Sequence, residues 1–334
     1  MTPMSEAAAG PMQVGLSVVI PCLNEQDNVE PVFDEIVTEL AGYELELLFV
    51  DDGSADRTLD VIKRLARADQ RVQYVSFTRN FGFEAAFSAG YRYARYPWVL
   101  HIDADQQFPA GEARKLIEAA MAGSHDAVFG VRTNRNDPLL RRWGTAAFHF
   151  IAGRILRIEL PSGATAFRLV RTELARRIVD LGLPTPYFLA TVPRLTSRYT
   201  TVLVSHRARL RGESKVGFGW LAAHAIELFV GYTRRPAHAA AGAGLVAAGV
   251  SALLGLATAL GVIGGAAASA ALFVLVAVSL AVCSMTIRFL VFIAAGHARP
   301  RLFYVREASI PVAEPDLLFG GGPHVKSVLG EGAR

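Results

Sequence analysis

The sequence predicts an α/β fold with a mainly parallel, Rossmann-like sheet, followed by two membrane-length helices. Two observations carry this prediction. From residue 16 to about 131, short β-rich apolar runs alternate with segments of helical pattern at spacings of about 30 residues, as in βαβ units. Between 236 and 296 the chain is mostly Ala, Leu, Val, Gly and Ile, with Arg288 its one group of fixed charge.

The first strand is LSVVI from residue 16, followed by a helix over 27–41. ELELLFV and the helix 56–68 form the second unit, VQYVSF and 83–95 the third, WVLHI and 111–122 the fourth, and DAVFGV ends the series. Polar clusters follow three of these strands: Asn24-Glu25, Asp51-Asp52-Gly53-Ser54 and Asp103-Ala104-Asp105. Open α/β sheets bind ligands beyond the carboxyl ends of their strands, so the three clusters are expected to meet in one crevice. The arginine-rich stretch 132–215 should complete the domain.

The expected organisation is a disordered stretch 1–15, a catalytic domain over 16–217, an amphipathic interfacial helix over 218–235, a membrane hairpin over 236–296 and a tail over 297–334, disordered after 308. Residues 218–233 also fit a buried helix of the soluble domain. A hydrocarbon core of about 30 Å takes about 20 residues per helix, so the tract holds two crossings, about 237–260 and 267–293. Arg234 and Arg235 precede the tract, His297, Arg299, Arg301 and Arg306 follow it, and the connecting hairpin is uncharged. The positive-inside rule therefore predicts a multi-pass protein of the inner (cytoplasmic) membrane with both termini in the cytoplasm. The first 15 residues lack a signal-peptide pattern. The two cysteines, Cys22 and Cys283, lie in elements too different to pair, which fits a reducing compartment. A net charge of +4 says little by itself.

Several chemistries are excluded. The first strand runs into Pro-Cys-Leu-Asn-Glu rather than Gly-x-Gly-x-x-Gly, and neither a P-loop, a zinc spacing nor a Gly-x-Ser-x-Gly elbow occurs. What remains is oxygen chemistry. Mg²⁺ or Mn²⁺ prefers carboxylate and phosphate oxygens, and Asp103 and Asp105 supply the first kind. A cation there would bridge a nucleotide diphosphate and stabilise it as a leaving group. Asp-x-Asp alone also fits a solvated loop; its place at a strand end favours the site. Ser54 or Asp56 can cap the helix that follows, or join a grip on base or ribose.

Taken together, SVVIPCLNE (17–25), VDDGSADRT (50–58), TRNFGFEAAFSAG (78–90), HIDADQQFP (101–109), RLRGESK (209–215) and the Arg-Pro-x-x-x-Tyr-Val-Arg-Glu segment at 299–307 resemble family 2 glycosyltransferases. The nearest group is the polyprenyl-phosphate enzymes, dolichol-phosphate mannose synthases and undecaprenyl-phosphate sugar transferases. The resemblance implies a GT-A fold and an inverting, metal-dependent hexosyltransferase of the cell envelope. Its donor is a nucleotide-sugar, its acceptor an undecaprenyl- or decaprenyl-type phosphate, its product a polyprenyl-phosphate monosaccharide. It implies Mg²⁺ or Mn²⁺, a lipid bilayer and a homo-oligomer, and no nucleic acid.

Residue by residue, the resemblance places Pro21, Leu23 and Glu25 in the base-binding loop and Asp52 at the nucleotide-binding acidic position. Asp103 contacts the nucleotide-sugar, and Asp105 with Gln107 holds the metal. Arg132 and Arg142 receive the acceptor phosphate, while Arg209 and Lys215 close over the donor diphosphate. Asp105, Arg132 and Arg142 are the expected catalytic set. Phe83, Phe108, Thr165-Ala166 and Val216 depart from the family's usual Lys, Asp, Gly-Asp and Tyr, which bears on donor identity and metal geometry. Arg288 is expected to snorkel to the headgroups.

Two other functions fit parts of the pattern. A processive polysaccharide synthase would need a Gln-x-x-Arg-Trp motif, and Arg142-Trp143 lacks the Gln. A catalytically silent membrane scaffold on the same fold would not need Asp103, Asp105 and Gln107.

Overall fold

A computed structural model describes residues 14–133, 150–155, 157–183, 186–207, 228, 235–262, 265–298 and 301–318. The chain divides into two compact units, the first made of 1–136, 161–213 and 301–334 and the second of 137–160 and 214–300.

The first unit is built on one eight-stranded sheet. Its elements in chain order are β1 (Gly15–Cys22), α1 (Val29–Glu39), β2 (Glu44–Asp51), α2 (Thr58–Ala68), β3 (Val72–Phe77), α3 (Phe83–Tyr93), β4 (Trp98–His101), α4 (Ala113–Ala122) and β5 (Ala127–Arg132). There follow β6 (Ala164–Arg171), α5 (Thr172–Asp180), α6 (Phe188–Leu195), β7 (Tyr199–Val204) and, after the second unit, β8 (Val305–Ala308). Strand order is β7-β5-β6-β4-β1-β2-β3-β8. The β4-β1-β2-β3 core is parallel, whereas β6 runs antiparallel to both β4 and β5. The run DAVFGV is therefore a strand but does not extend the parallel series: β6 lies between it and β4.

The central strands are buried on both faces, which explains their near-continuous apolar runs. One face packs Leu16, Val18, Ile20, Leu47 and Leu100 against α1, α2 and α4. The other packs Val19, Leu48, Val50 and Val99 against α3, α5 and α6. Side chains alternate along a strand, so Val99 and His101 share the second face.

Residues 309–318, expected as disordered tail, are packed. Val312 is fully buried, and Asp316 takes hydrogen bonds from the Tyr93 hydroxyl at 2.6 Å and Arg92 at 3.2 Å, with Arg301 at 3.3 Å. The residues just before it form β8 on the free edge of β3, where Val75 pairs with Ala308. Composition hid this because the anchor is one buried aspartate, Asp316, in a short stretch broken by Pro311 and Pro315.

The second unit contains α7 (Arg235–Ala259) and α8 (Gly265–Ala298). Within them, His238–Ala259 and Ser269–Val291 are long and apolar enough to cross a membrane, with mean hydropathy 1.9 and 2.5. Large apolar side chains such as Leu253, Leu272 and Phe273 stand exposed. Ser251, Thr258, Ser269 and Thr286 turn their hydroxyls back onto carbonyls of the preceding turn. That satisfies polar groups without water, as an apolar solvent demands. The expected interfacial helix 218–235 lies outside the described residues except at Leu228 and Arg235, as does 1–13 of the N-terminal stretch.

Candidate active site

Because β4, β1 and β2 are parallel neighbours, the loops after them leave by one edge of the sheet. The loops after β1 and β2 are stitched to each other. Asn24, with φ of +53°, accepts the Ala55 N–H on its side-chain oxygen at 2.8 Å and gives its own N–H to the Ser54 hydroxyl at 2.9 Å. The Glu25 N–H donates to the Thr58 hydroxyl at 2.8 Å, and the Glu25 carboxylate accepts from Asn28 at 2.5 Å. Pro21 and Leu23, flanking buried Cys22, are half-buried on the same turn. Asp56 accepts the Thr58 N–H at 2.9 Å at the start of α2, so capping falls to Asp56, while Ser54 serves the loop.

Asp51 is fully buried and accepts from the Ser76 hydroxyl at 2.7 Å and the Ser54 N–H at 3.1 Å, which makes it structural. Asp52 next to it accepts the backbone N–H groups of Phe81 at 2.7 Å and Gly82 at 2.9 Å, one on each oxygen. Burial pushes its carboxyl up to about 6, against the lowering pull of those two donors. Gly53 between these loops has φ of +69°, and a Cβ there would lie 2.4 Å from the Arg79 carbonyl carbon. Only glycine fits.

The loop after β4 holds Asp103, Asp105 and Gln107. Asp105 is buried, and one of its oxygens accepts the Gln107 N–H at 3.1 Å. Asp103 is more open, its side chain 39% exposed, and meets His101 Nε2 at 3.0 Å. The tight course of this loop forces Gln106 to φ of +55°, unusual for a side-chain-bearing residue. Its side chain donates to Glu35 on α1 at 2.7 Å and to the Pro31 carbonyl at 3.2 Å. Glu35 also accepts the Ala110 N–H and Arg207, each at 3.1 Å. The Arg207 N–H in turn donates to the Gln107 carbonyl at 2.8 Å, tying the chain after β7 to this loop.

Arg132 ends β5 with its guanidinium 5.5 Å from the Phe108 ring centre. Phe108 is buried, stacks on Phe167 at 5.2 Å and meets His206 edge-on at 5.2 Å. Where the resemblance expects an aspartate, this chain therefore sets an aromatic platform under two basic side chains. Arg142, Arg209 and Lys215 lie outside the described residues.

The sequence singled out neither Glu35, Gln106, Arg207 nor His101. Glu35 is one acid among several on α1, with no local signal. His101 was visible as the one titratable residue in the apolar run WVLHI.

The donor set suits a hard divalent cation: Asp105 and Gln107 offer oxygens in one loop, with Asp103 two residues away. Among the described residues no group of three or more His, Cys, Asp or Glu forms a complete cage. A cation held here would complete its shell from substrate phosphate and water, the usual habit of Mg²⁺.

Comparison with known proteins agrees with this geometry. A family model described as glycosyl transferase family 2 matches residues 17–179, which spans all three loops. Over residues 17–179 the chain is similar to family 2 glycosyltransferases. The chain is 31% identical over 207 residues to the uncharacterized glycosyltransferase sll0501 of Synechocystis, covering 61% of this chain and 65% of that relative. It is 34% identical over 207 residues to an undecaprenyl-phosphate 4-deoxy-4-formamido-L-arabinose transferase of Pseudomonas fluorescens, covering 60% of this chain and 59% of that relative. The chain thus spans less than two thirds of the length of either. Among solved structures, the glucosyl-3-phosphoglycerate synthase of Mycobacterium tuberculosis superposes with TM-score 0.50 at 20% identity, covering 66% of this chain and 80% of that one. This likeness concerns the fold, which is GT-A. The match thus covers the parallel core and the three loops that build the site.

Proposed function

We propose that this glycosyltransferase moves one sugar from a nucleotide-sugar to a polyprenyl phosphate at a membrane surface, with inversion. The observation that carries this reading is the path of the chain: it leaves the sheet domain after β7, runs through two membrane-length helices, and rejoins the same sheet as β8. A domain tethered on both flanks needs an even number of crossings, which supports a hairpin. With both flanks basic, the cytoplasmic side is favoured. A lipid-borne acceptor phosphate suits an enzyme whose chain is tethered in this way. The Pseudomonas relative, by its name, acts on undecaprenyl phosphate.

The mechanism follows from the groups present. A phosphate monoester has a second pKa of about 6 and is mostly dianionic at neutral pH, so it attacks without a dedicated base. The protein's work is to hold two anions on opposite sides of the anomeric carbon. Arg132, braced on Phe108, faces the acceptor phosphate, with Arg142 as its partner in that role. Asp52 fixes the Phe81-Gly82 backbone beside the nucleotide loops, and Asp103 receives the nucleotide-sugar. Asp105 and Gln107 would hold Mg²⁺ or Mn²⁺, which supplies charge neutralisation of the departing nucleotide diphosphate. Arg209 and Lys215 complete the grip on that diphosphate. Catalysis is then positioning plus electrostatics.

The test is transfer of radiolabelled sugar from a panel of UDP-, GDP- and dTDP-sugars to short-chain polyprenyl phosphate by detergent-solubilised protein, with Mg²⁺ or Mn²⁺. A metal-dependent lipid product, absent with Asp105→Asn, is the expected result. Folded, inserted protein that labels no lipid with any donor would sink the proposal.

A further inference from the structure

Beneath the donor loop lies a buried polar group that the proposed mechanism does not use. His101, the last residue of β4, is fully buried. Its Nε2 sits 3.0 Å from an oxygen of Asp103, and its Nδ1 has no hydrogen-bond partner among the described residues. The ring is clamped edge-on against Phe87 of α3 at 4.1 Å. Phe87 in turn lies 4.8 Å from the guanidinium of Arg168, which donates to the Tyr91 hydroxyl at 2.7 Å. Arg168 is also the cross-strand partner of His101 on β6. Phe87, Tyr91, Phe188 and Arg168 thus form one packed cluster, and the imidazole lies against it through Phe87.

This environment decides the tautomer. Burial, opposed by the Asp103 and Asp105 carboxylates and helped by the Arg168 charge, lowers the affinity of His101 for a second proton. A single proton on Nδ1 would be buried without an acceptor and would set the Nε2 lone pair against a carboxylate oxygen. With the proton on Nε2 the imidazole donates to Asp103 instead, and the ring nitrogen left without a partner among the described residues is a lone pair rather than an N–H. Asp103 itself stands past the end of the strand with its side chain partly open to solvent, and His101 reaches it from the buried side.

We propose that His101 is a positioning residue for the donor: its Nε2–H fixes the Asp103 carboxylate in the orientation that receives the nucleotide-sugar. The proposal rests on the donor site described above. Pre-orienting one carboxylate through a locked neighbour removes rotational freedom before the donor arrives, as outer-shell groups do for binding ligands.

The experiment measures binding of UDP and GDP, each with Mn²⁺, by titration calorimetry to wild type, His101→Phe, His101→Gln, Asp103→Asn and the His101→Phe/Asp103→Asn double variant. For the nucleotide that wild type binds, loss of one charge-assisted hydrogen bond should weaken binding about tenfold in His101→Phe. His101→Gln keeps a donor and should stay within about threefold of wild type. In the Asp103→Asn background, His101→Phe should change affinity by less than about twofold, because its target is gone. With a labelled donor, KM should rise more than kcat falls. Unchanged binding in His101→Phe, or an undiminished tenfold effect in the Asp103→Asn background, would overturn the positioning role. Wild-type binding by Asp103→Asn itself would overturn the donor-site reading and this inference with it. Should His101→Phe fail to fold, His101→Met, also without a donor, is read against the same outcomes.

Discussion

Glu35 on α1 and Gln106 in the loop after β4 are joined by a 2.7 Å hydrogen bond across 71 positions of sequence. The bond holds Gln106 in its left-handed conformation, and the same carboxylate anchors the Ala110 N–H and Arg207. One side chain thus sets the course of the loop that presents Asp103, Asp105 and Gln107.

Glu35→Ala should therefore reduce activity without unfolding the domain. Three donors lose their acceptor, but Arg207 is exposed and can turn to water, so a stability loss of about 2 kcal/mol is expected. The drop in kcat should exceed that expected from the unfolded fraction alone, while Glu35→Gln, which keeps an acceptor, should be milder. Thermal unfolding and transfer assays on the same samples separate the two effects.

Asp52 predicts an acid limb for donor binding. Its carboxylate accepts two backbone N–H groups, one per oxygen, and burial raises its pKa to about 6. Protonation turns one acceptor into a donor facing an N–H, which releases the Phe81-Gly82 backbone. Donor KM should rise as pH falls through about 6. Asp52→Asn, with an amide in place of one oxygen, should hold the weakened KM at every pH from 5 to 8.

The parallel core and its three loops were legible in the sequence because each rests on a local signal: a β-rich run, a turn residue, a polar cluster at a strand end. Phe108 was visible as a departure, but its partners His206 and Arg132 were not visible as such, since they come from the ends of two other strands. The place of β6 between β4 and β5 was hidden for a similar reason. A strand's neighbours are chosen by long-range packing, and the apolar run ATAFRLVR carries no address. The anchoring of 309–318 through Asp316 and the support of Gln106 by Glu35 are likewise contacts between distant residues of ordinary composition.

Asp316 yields a prediction about the returning segment. It is nearly fully buried and gathers Arg92, Tyr93 and Arg301, so its loss should free 309–318 from α3. Asp316→Ala is expected to cost about 2 to 3 kcal/mol, held down because both arginines are part-exposed and rehydrate. Limited proteolysis should cut within 309–318 in the variant and spare it in wild type. Equal protection in both proteins would show that β8 alone anchors the segment.

Glu84 gives the last prediction, a stability effect with a defined sign. It is half-buried on α3, with its Oε2 shielded from solvent and unpartnered among the described residues, and desolvation pushes its carboxyl up to about 8 despite the nearby Arg168 charge. In the unfolded chain the same carboxyl titrates at about 4.3. Between these values the folded state holds a proton that the unfolded state has released, so folding takes up a proton and stability falls as pH rises. The contribution is fully present below about 4.3, and is lost progressively as pH climbs to about 8, above which it is level. Asp52 acts in the same direction, but only up to about 6. The interval from 6 to 8 therefore belongs to Glu84 when wild type is compared with Glu84→Gln, which copies the neutral acid in shape and cannot titrate. Melting temperature measured every half pH unit should fall more steeply in wild type than in Glu84→Gln across that interval, with the variant the more stable at pH 8. Parallel curves would mean that Glu84 is ionised throughout, paired with Arg168.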